Sequence, residues 1–358
     1  MSRERMNVVV AAWIGSTNLG DELIFRALVG RLRERDVDVT AVSVDPEGTA
    51  RDHAVAAVHH LHPFSVMQAI RKCDRLIFGG GGILQDETGH WNLPYHLSRM
   101  WMARATRTPV GIFGIGVGAL NTRSGRFLVR HSLSGEMPTS VRDEDSATRL
   151  ADLGLATPIT AADPAFSLPT PAVTMSDRFA VCLRPPLGPN RLLPASLSAR
   201  SAVDPAWIDS MARALDSVVE ATGLTAHFVA FQTDRDHTVH LQVAEHMKHE
   251  SSLATATLDT VLDEIASARV VIAMRYHGGV TAAVAERPVV LLPYSPKVQS
   301  LAADLESGAV IAPVDSASLP AAVMEVMADP RPLDERINRL RLRERRNDEV
   351  LDRLPESR

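Results

Sequence analysis

Short apolar runs alternate with stretches of helical periodicity along most of the chain. In the first half, apolar runs at 7–14, 37–44, 75–78, 110–115, 139–142 and 159–162 read as strands. Between them, 21–35, 65–71, 91–105, 124–134 and 145–153 carry apolar residues at helical spacing. The alternation resumes later, with strands expected at 179–183, 227–231, 270–274 and 289–293. Helices are expected at 205–221, 238–249, 258–267, 278–285 and 297–305. Strands separated by helices pair in parallel through right-handed crossovers, so each half predicts a doubly wound sheet. The segment 163–178 is rich in Pro, Ser and Thr and lacks periodicity, as a linker would. The expected architecture is α/β: two Rossmann-like doubly wound domains facing a central cleft. Their bounds are 1–167 and 179–330, with the linker proper at 168–178 and a charged helical tail at 331–358. A ligand then belongs in the cleft, at the carboxyl ends of the strands.

Composition narrows the function. The 358 residues are 45% hydrophobic and 23% charged, enough to bury two cores. A net charge of −5 and 4% aromatic content argue against a nucleic-acid partner. Cys73 and Cys182 form no metal or redox spacing, and a reducing cytoplasm is the expected compartment. The apolar run near the N-terminus is too short for a signal sequence, and none approaches the roughly 18 residues of a membrane span. Acidic residues interleave with the arginines of the tail, which reads as a solvated helix rather than a membrane-binding one. His59, His60 and His62, like His237 and His240, lack a matching third ligand pattern; they read as solvated, and no metal is expected. Only three lysines occur, Lys72, Lys248 and Lys297, so an arginine carries meaning only inside a motif.

Several motifs sit where a strand should end. After the first strand, 15–24 reads GSTNLGDELI, with Asp21 and Glu22 opening a helix. Two carboxylates there would repel a pyrophosphate, which disfavours a nucleotide cofactor; Asp21 either caps the helix or serves a hydroxyl or a proton. At 78–89, FGGGGILQDETG reads as a glycine-rich strand-to-helix turn with accessible backbone amides. Arg142 in SVRDEDS and Arg184 in VCLRPP end strands in opposite halves and are placed to face each other. At 273–280, AMRYHGGV puts Arg275 and His277 at a strand end, before the amides of Gly278 and Gly279, which suit an oxyanion. Lys297 follows the next strand in PYSPKVQ.

NLGDE at 18–22, FGGGGILQD at 78–86, GIGVG at 114–118, SVRDEDS at 140–146, LRP at 183–185, MRYHGGVTAA at 274–283 and PYSPKV at 293–298 occur in an order that resembles the polysaccharide pyruvyltransferase family. The resemblance implies two Rossmann-like halves of GT-B type. It also implies transfer of a carboxyethylidene group from phosphoenolpyruvate to a sugar diol, with release of phosphate. It places Arg142, Arg184 and Lys297 on the donor, with Arg275, Gly278 and Gly279 assisting, and makes His277 catalytic. Asp21 takes the acceptor side with Asn18, Gly80, Gly81 and Gln85. No cofactor is implied beyond phosphoenolpyruvate as donor substrate. The partner is a sugar or lipid-linked saccharide, which would bring the enzyme to the inner face of a membrane. Tyr276, where many relatives of that family carry an aliphatic residue, and the Gly278–Gly279 pair depart from the pattern and bear on the acceptor pocket or the helix start. The alternatives are a GT-B glycosyltransferase, with Glu286 as a candidate ribose ligand, and a non-catalytic binding protein of the same fold, in which these cations would be lost.

Overall fold

The computed structural model describes residues 5–87, 89, 91–185, 203–292, 295–306, 309–328 and 334–353. The first half alternates β1 (Asn7–Ile14), α1 (Leu19–Glu34), β2 (Asp38–Ser43), α2 (Pro46–His53), β3 (Ala56–His59), α3 (Pro63–Lys72) and β4 (Arg75–Leu84). It continues with α4 (Asn92–Thr106), β5 (Val110–Val117), α5 (Arg123–Ser132), β6 (Thr139–Val141), α6 (Glu144–Asp152) and β7 (Ile159–Thr160). All seven strands pair in parallel, in the order β3-β2-β1-β4-β5-β6-β7. β5 is buried along its whole length, as a central strand covered on both faces must be.

The second half comprises β8 (Arg178–Cys182), α7 (Pro205–Thr222), β9 (Thr225–Phe228), α8 (Thr233–His246), β10 (Ser251–Leu253), α9 (Val261–Ala266), β11 (Val270–Ala273) and α10 (Tyr276–Val284). β12 (Val289–Leu291), α11 (Pro296–Leu305), β13 (Ala309–Ile311) and α12 (Ser318–Ala328) complete it. Its parallel sheet runs β10-β9-β8-β11-β12-β13. Both sheets therefore reverse winding direction beside their first strand, between β1 and β4 and between β8 and β11, where such folds open a crevice.

Several elements differ from expectation. The short strands β3 and β10 and the helix α2 have too few buried apolar residues to register as periodic runs, and β13 is only three residues long. The glycine run does not turn the chain into a helix: β4 continues through it, held by pairing of Gly79, Gly81 and Leu84 to Phe113, Ile115 and Val117 of β5. The start of the presumed linker is core. Pro164–Ser167 forms a 3-10 turn whose Ala165 and Phe166 are buried in one cluster with Leu23 of α1 and Val280 of α10. Residues 331–333 and 354–358 of the expected tail, together with Pro186 and Pro293, lie outside the described residues.

The tail is not solvated. α13 (Asp334–Glu344) buries Ile337 and Leu340 in that same cluster, and α14 (Asp348–Asp352) buries Val350 and Leu351 against the first sheet. Between them Asn347 accepts from Ser140 Oγ at 2.7 Å and donates to the Ala162 carbonyl at 3.0 Å. The two halves also meet across the chain at the start of α1. Leu19 N donates to the Phe231 carbonyl at 2.7 Å, and Asn18 bridges Gln232.

Candidate functional site

A cleft of about 540 Å³, open to solvent, lies between the carboxyl ends of the two sheets. Asn18, Asp21, Gly82, Arg142, Arg184, Phe231, Arg275, Tyr276, His277 and Lys297 line it. Seven of the sequence-predicted site residues thus converge here from five different strand ends.

The start of α1 supplies the acidic wall. The N-cap is Asn18, not Asp21: its Oδ1 accepts from Gly20 N at 3.2 Å and its amide donates to the Asp21 carboxylate. Burial raises the Asp21 carboxyl above its ordinary range, opposed by His277, Lys297 and the Asn18 hydrogen bond and reinforced by Glu22. Glu22 faces the other way. Its Oε1 accepts from Gly15 N and Ser16 N at 2.8 and 3.1 Å, and its Oε2 lies 2.9 Å from His53 Nε2, so it shapes the loop that presents Asn18.

The glycines act by making room. A Cβ at Gly20 would fall 2.1 Å from His277 Nδ1, so α1 can meet the imidazole only through a glycine. Gly81, at φ +77°, leaves space for Asp21 Oδ1, which a Cβ would approach to 2.6 Å; Gly80, at φ +86°, does the same for Ile24. Both are buried, and the glycine that faces the cleft is Gly82. Gln85 is not among the lining residues; its carbonyl accepts from Asn92 at 2.8 Å. Gly116 of β5 lies against Arg142, where a Cβ would come within 2.6 Å of the guanidinium. Gly278 and Gly279 are packing residues, pressed on Cys182 and Ala273 and on Leu291 and Leu301 respectively.

Arg142 is buried. Its Nε lies 3.3 Å from Asp143 and its Nη1 3.4 Å from Asp163, and its guanidinium stacks 4.2 Å over the Tyr276 ring. Tyr276 thus lies on the cations expected to hold the donor. Lys297 Nζ stands 5.9 Å from the same ring. Arg184 is half-buried at the end of β8, its Nε 3.4 Å from the Pro185 carbonyl. Arg275 lines the cleft, but its guanidinium forks onto the fully buried Asp236 and donates to Gln232 Oε1 at 3.1 Å. Asp236 also accepts from Phe231 N and Gln232 N. Arg275 therefore braces the loop after β9, which touches Asn18.

Asp163 escaped sequence reasoning because it falls inside the segment read as linker; an Asp-Pro pair directly after a strand was the available signal. It is buried, caps the 3-10 turn through Ala165 N at 3.1 Å, and faces both Arg142 and His277, whose Nε2 is 3.7 Å away. Desolvation alone would raise its pKa; His277 and Arg142 overcome it and hold the carboxyl below its ordinary range. His277 Nε2 itself is buried without a hydrogen-bond partner. The imidazole thus lines the cleft with this nitrogen turned toward the Asp163 carboxylate.

Of the histidines read as solvated, His62 and His237 are exposed, His59 and His60 are half-buried, and His240 is not solvated. His240 is buried and its Nε2 accepts from Leu183 N at 3.1 Å, with burial pulling its pKa down to about 3. His60 bonds Tyr95, and burial lowers it to about 4. No group of three metal-ligating side chains occurs among the described residues. Nor, among them, is any helix long and apolar enough to cross a membrane. Glu286 is remote from the cleft: it follows the far end of α10 and accepts from Thr170 at 3.3 Å.

The family model for polysaccharide pyruvyl transferase matches residues 18–296, which include every cleft-lining residue except Lys297. No curated protein matches the chain. Among solved structures, UDP-GlcNAc 2-epimerase from Neisseria meningitidis, bound to UDP-GlcNAc, aligns with a TM-score of 0.59 at 10% identity, over 97% of this chain and 99% of that one. UDP-GlcNAc 2-epimerase from Methanocaldococcus jannaschii gives 0.60 at 11% identity, over 97% and 99%. A glycosyltransferase from Rickettsia africae gives 0.54 at 8%, over 98% and 95%. At such identities the likeness is one of fold: two Rossmann-like halves of GT-B type.

Proposed function

The chain belongs to the polysaccharide pyruvyl transferase family, and from that premise we propose that its cleft transfers the pyruvyl group of phosphoenolpyruvate to a saccharide diol as a cyclic ketal. The observation that carries this reading is the convergence of Arg142, Arg184 and Lys297 with His277 and Asp21 on one cleft. Phosphoenolpyruvate is small and carries a phosphate and a carboxylate. A site for it needs fixed cations from more than one direction, and arginine forks match both groups.

In this mechanism His277 protonates the methylene carbon of the enol, which makes the adjacent carbon electrophilic. The buried Asp163 carboxylate stabilises the imidazolium that donates this proton. A saccharide hydroxyl attacks that carbon, losing its proton to Asp21, whose raised pKa suits a base. The second hydroxyl, its proton passing to the departing phosphate, displaces that phosphate onto Arg142, Arg184 and Lys297, and the ketal ring closes. The acceptor is a sugar or lipid-linked saccharide entering beside Asn18 and Gly82, and no metal takes part.

The test follows the carbon. Protein incubated with phosphoenolpyruvate labelled at carbon 2 and a panel of free and carrier-linked saccharides is expected to move label into a saccharide, releasing one phosphate per transfer. Consumption of a nucleotide sugar while the label stays in phosphoenolpyruvate would replace this reading with glycosyl transfer.

A further inference from the structure

Tyr276 touches more of the cleft's chemistry than any motif assigned to it. Its ring lies 4.2 Å from the Arg142 guanidinium, 5.9 Å from Lys297 Nζ and 5.3 Å, edge-on, from the His277 imidazole. The residue is buried and still lines the cleft. Arg142 comes from the first half of the chain, while Lys297 and His277 come from the second. Asp143 and Asp163 hold the Arg142 guanidinium from one side, at 3.3 and 3.4 Å, and the Tyr276 ring covers its face. An aromatic face attracts cations through its quadrupole without adding a charge that would compete with the ligand.

We propose that Tyr276 is a positioning residue for the donor site: its ring holds Arg142 and Lys297 at the spacing that a doubly anionic three-carbon ligand bridges, and so preorganises cations from both halves before the ligand arrives. The ring does this and not the hydroxyl. Burial pushes the Tyr276 phenol well above its ordinary range despite the opposing charge of Arg142, so it stays neutral. A carboxylate in its place would hold the cations more strongly but would bind them in competition with the substrate. An aliphatic side chain would leave Arg142 to Asp143 and Asp163 alone and take the aromatic face from both cations, at the expense of affinity.

This inference rests on the reading of the cleft as a phosphoenolpyruvate site, and the test separates the two. Calorimetric titration with phosphoenolpyruvate is made on the wild-type chain, Tyr276→Phe and Tyr276→Leu. Tyr276→Phe is expected to bind within about twofold of wild type, and Tyr276→Leu to bind about threefold to thirtyfold more weakly, the range that loss of cation–π contacts predicts. Rescue by phenylalanine is the signature that general loosening of the fold would not produce. If the leucine variant fails to fold, Tyr276→Met fills similar space without a quadrupole and carries the same comparison. Wild-type affinity in the leucine or methionine variant overturns the positioning role, as does an equal loss in Tyr276→Phe. A wild-type chain that binds no phosphoenolpyruvate overturns the donor reading, and this inference with it.

Discussion

Gly20 and His277 show how tightly single residues are specified here. The imidazole stands where any side chain on Gly20 would be, so the first turn of α1 and the first turn of α10 meet through one missing Cβ. Gly20→Ala is expected to push the ring aside and lower turnover by about 10²-fold, since a displacement near 1 Å can have that effect on positioned chemistry. His277→Ala should lose about 10²- to 10⁴-fold, the span of acid–base catalysis, in the labelled-transfer assay. Retained turnover in His277→Ala would remove it from the proton path. At this scale the sequence was informative about identity and poor about direction. Arg142, Arg184, His277 and Lys297 were readable because each follows an apolar run. That Arg275 would be tied to Asp236, 39 residues earlier, was not readable, because ion pairs between separate elements leave no periodic trace.

Among elements, β4 and β5 carry the clearest lesson. Glycines normally end a strand pattern, and a turn was the natural expectation for 78–89. The ladder to β5 keeps the segment extended, and the missing side chains admit Asp21 from one motif and Arg142 from another. Gly116 has no positive φ, so Gly116→Ala tests space alone: its Cβ would displace the Arg142 guanidinium. The expected outcome is a rise of about tenfold or more in KM for phosphoenolpyruvate with secondary structure intact, checked by kinetics beside circular dichroism. Elements with long apolar periodicity, such as β1, α7 and β11, lie within a few residues of their expected bounds. The edge strands β3 and β10 were illegible because they are only four and three residues long and bury no side chain fully.

At the scale of the whole molecule, the return of the tail was the largest surprise, since a run of mixed charge ordinarily lies in water. Here the charges find partners on the first half: Glu344 pairs with Arg31, and Asn347 joins Ser140 to Ala162, one residue before Asp163. Burial raises the Glu344 carboxyl to about 8, against the opposing effect of Arg31. Between the ordinary carboxylate range and that value the folded chain keeps a proton that the unfolded chain has lost, so this group makes stability fall as pH rises. Glu344→Gln should therefore flatten the decline in melting temperature between about pH 6.5 and 8, measured by thermal unfolding across pH. An unchanged slope would show that Glu344 is ionised throughout.

The central claim is that the cleft is built for phosphoenolpyruvate, and its most direct test is a thermal-shift titration with phosphoenolpyruvate beside UDP and GDP. A ligand that binds only the native state raises stability by RT ln(1 + [L]/Kd). Phosphoenolpyruvate is expected to raise the melting temperature, neither nucleotide is expected to, and Arg184→Ala is expected to abolish the rise. Stabilisation by a nucleotide alone would contradict it and make the cleft that of a nucleotide-sugar enzyme.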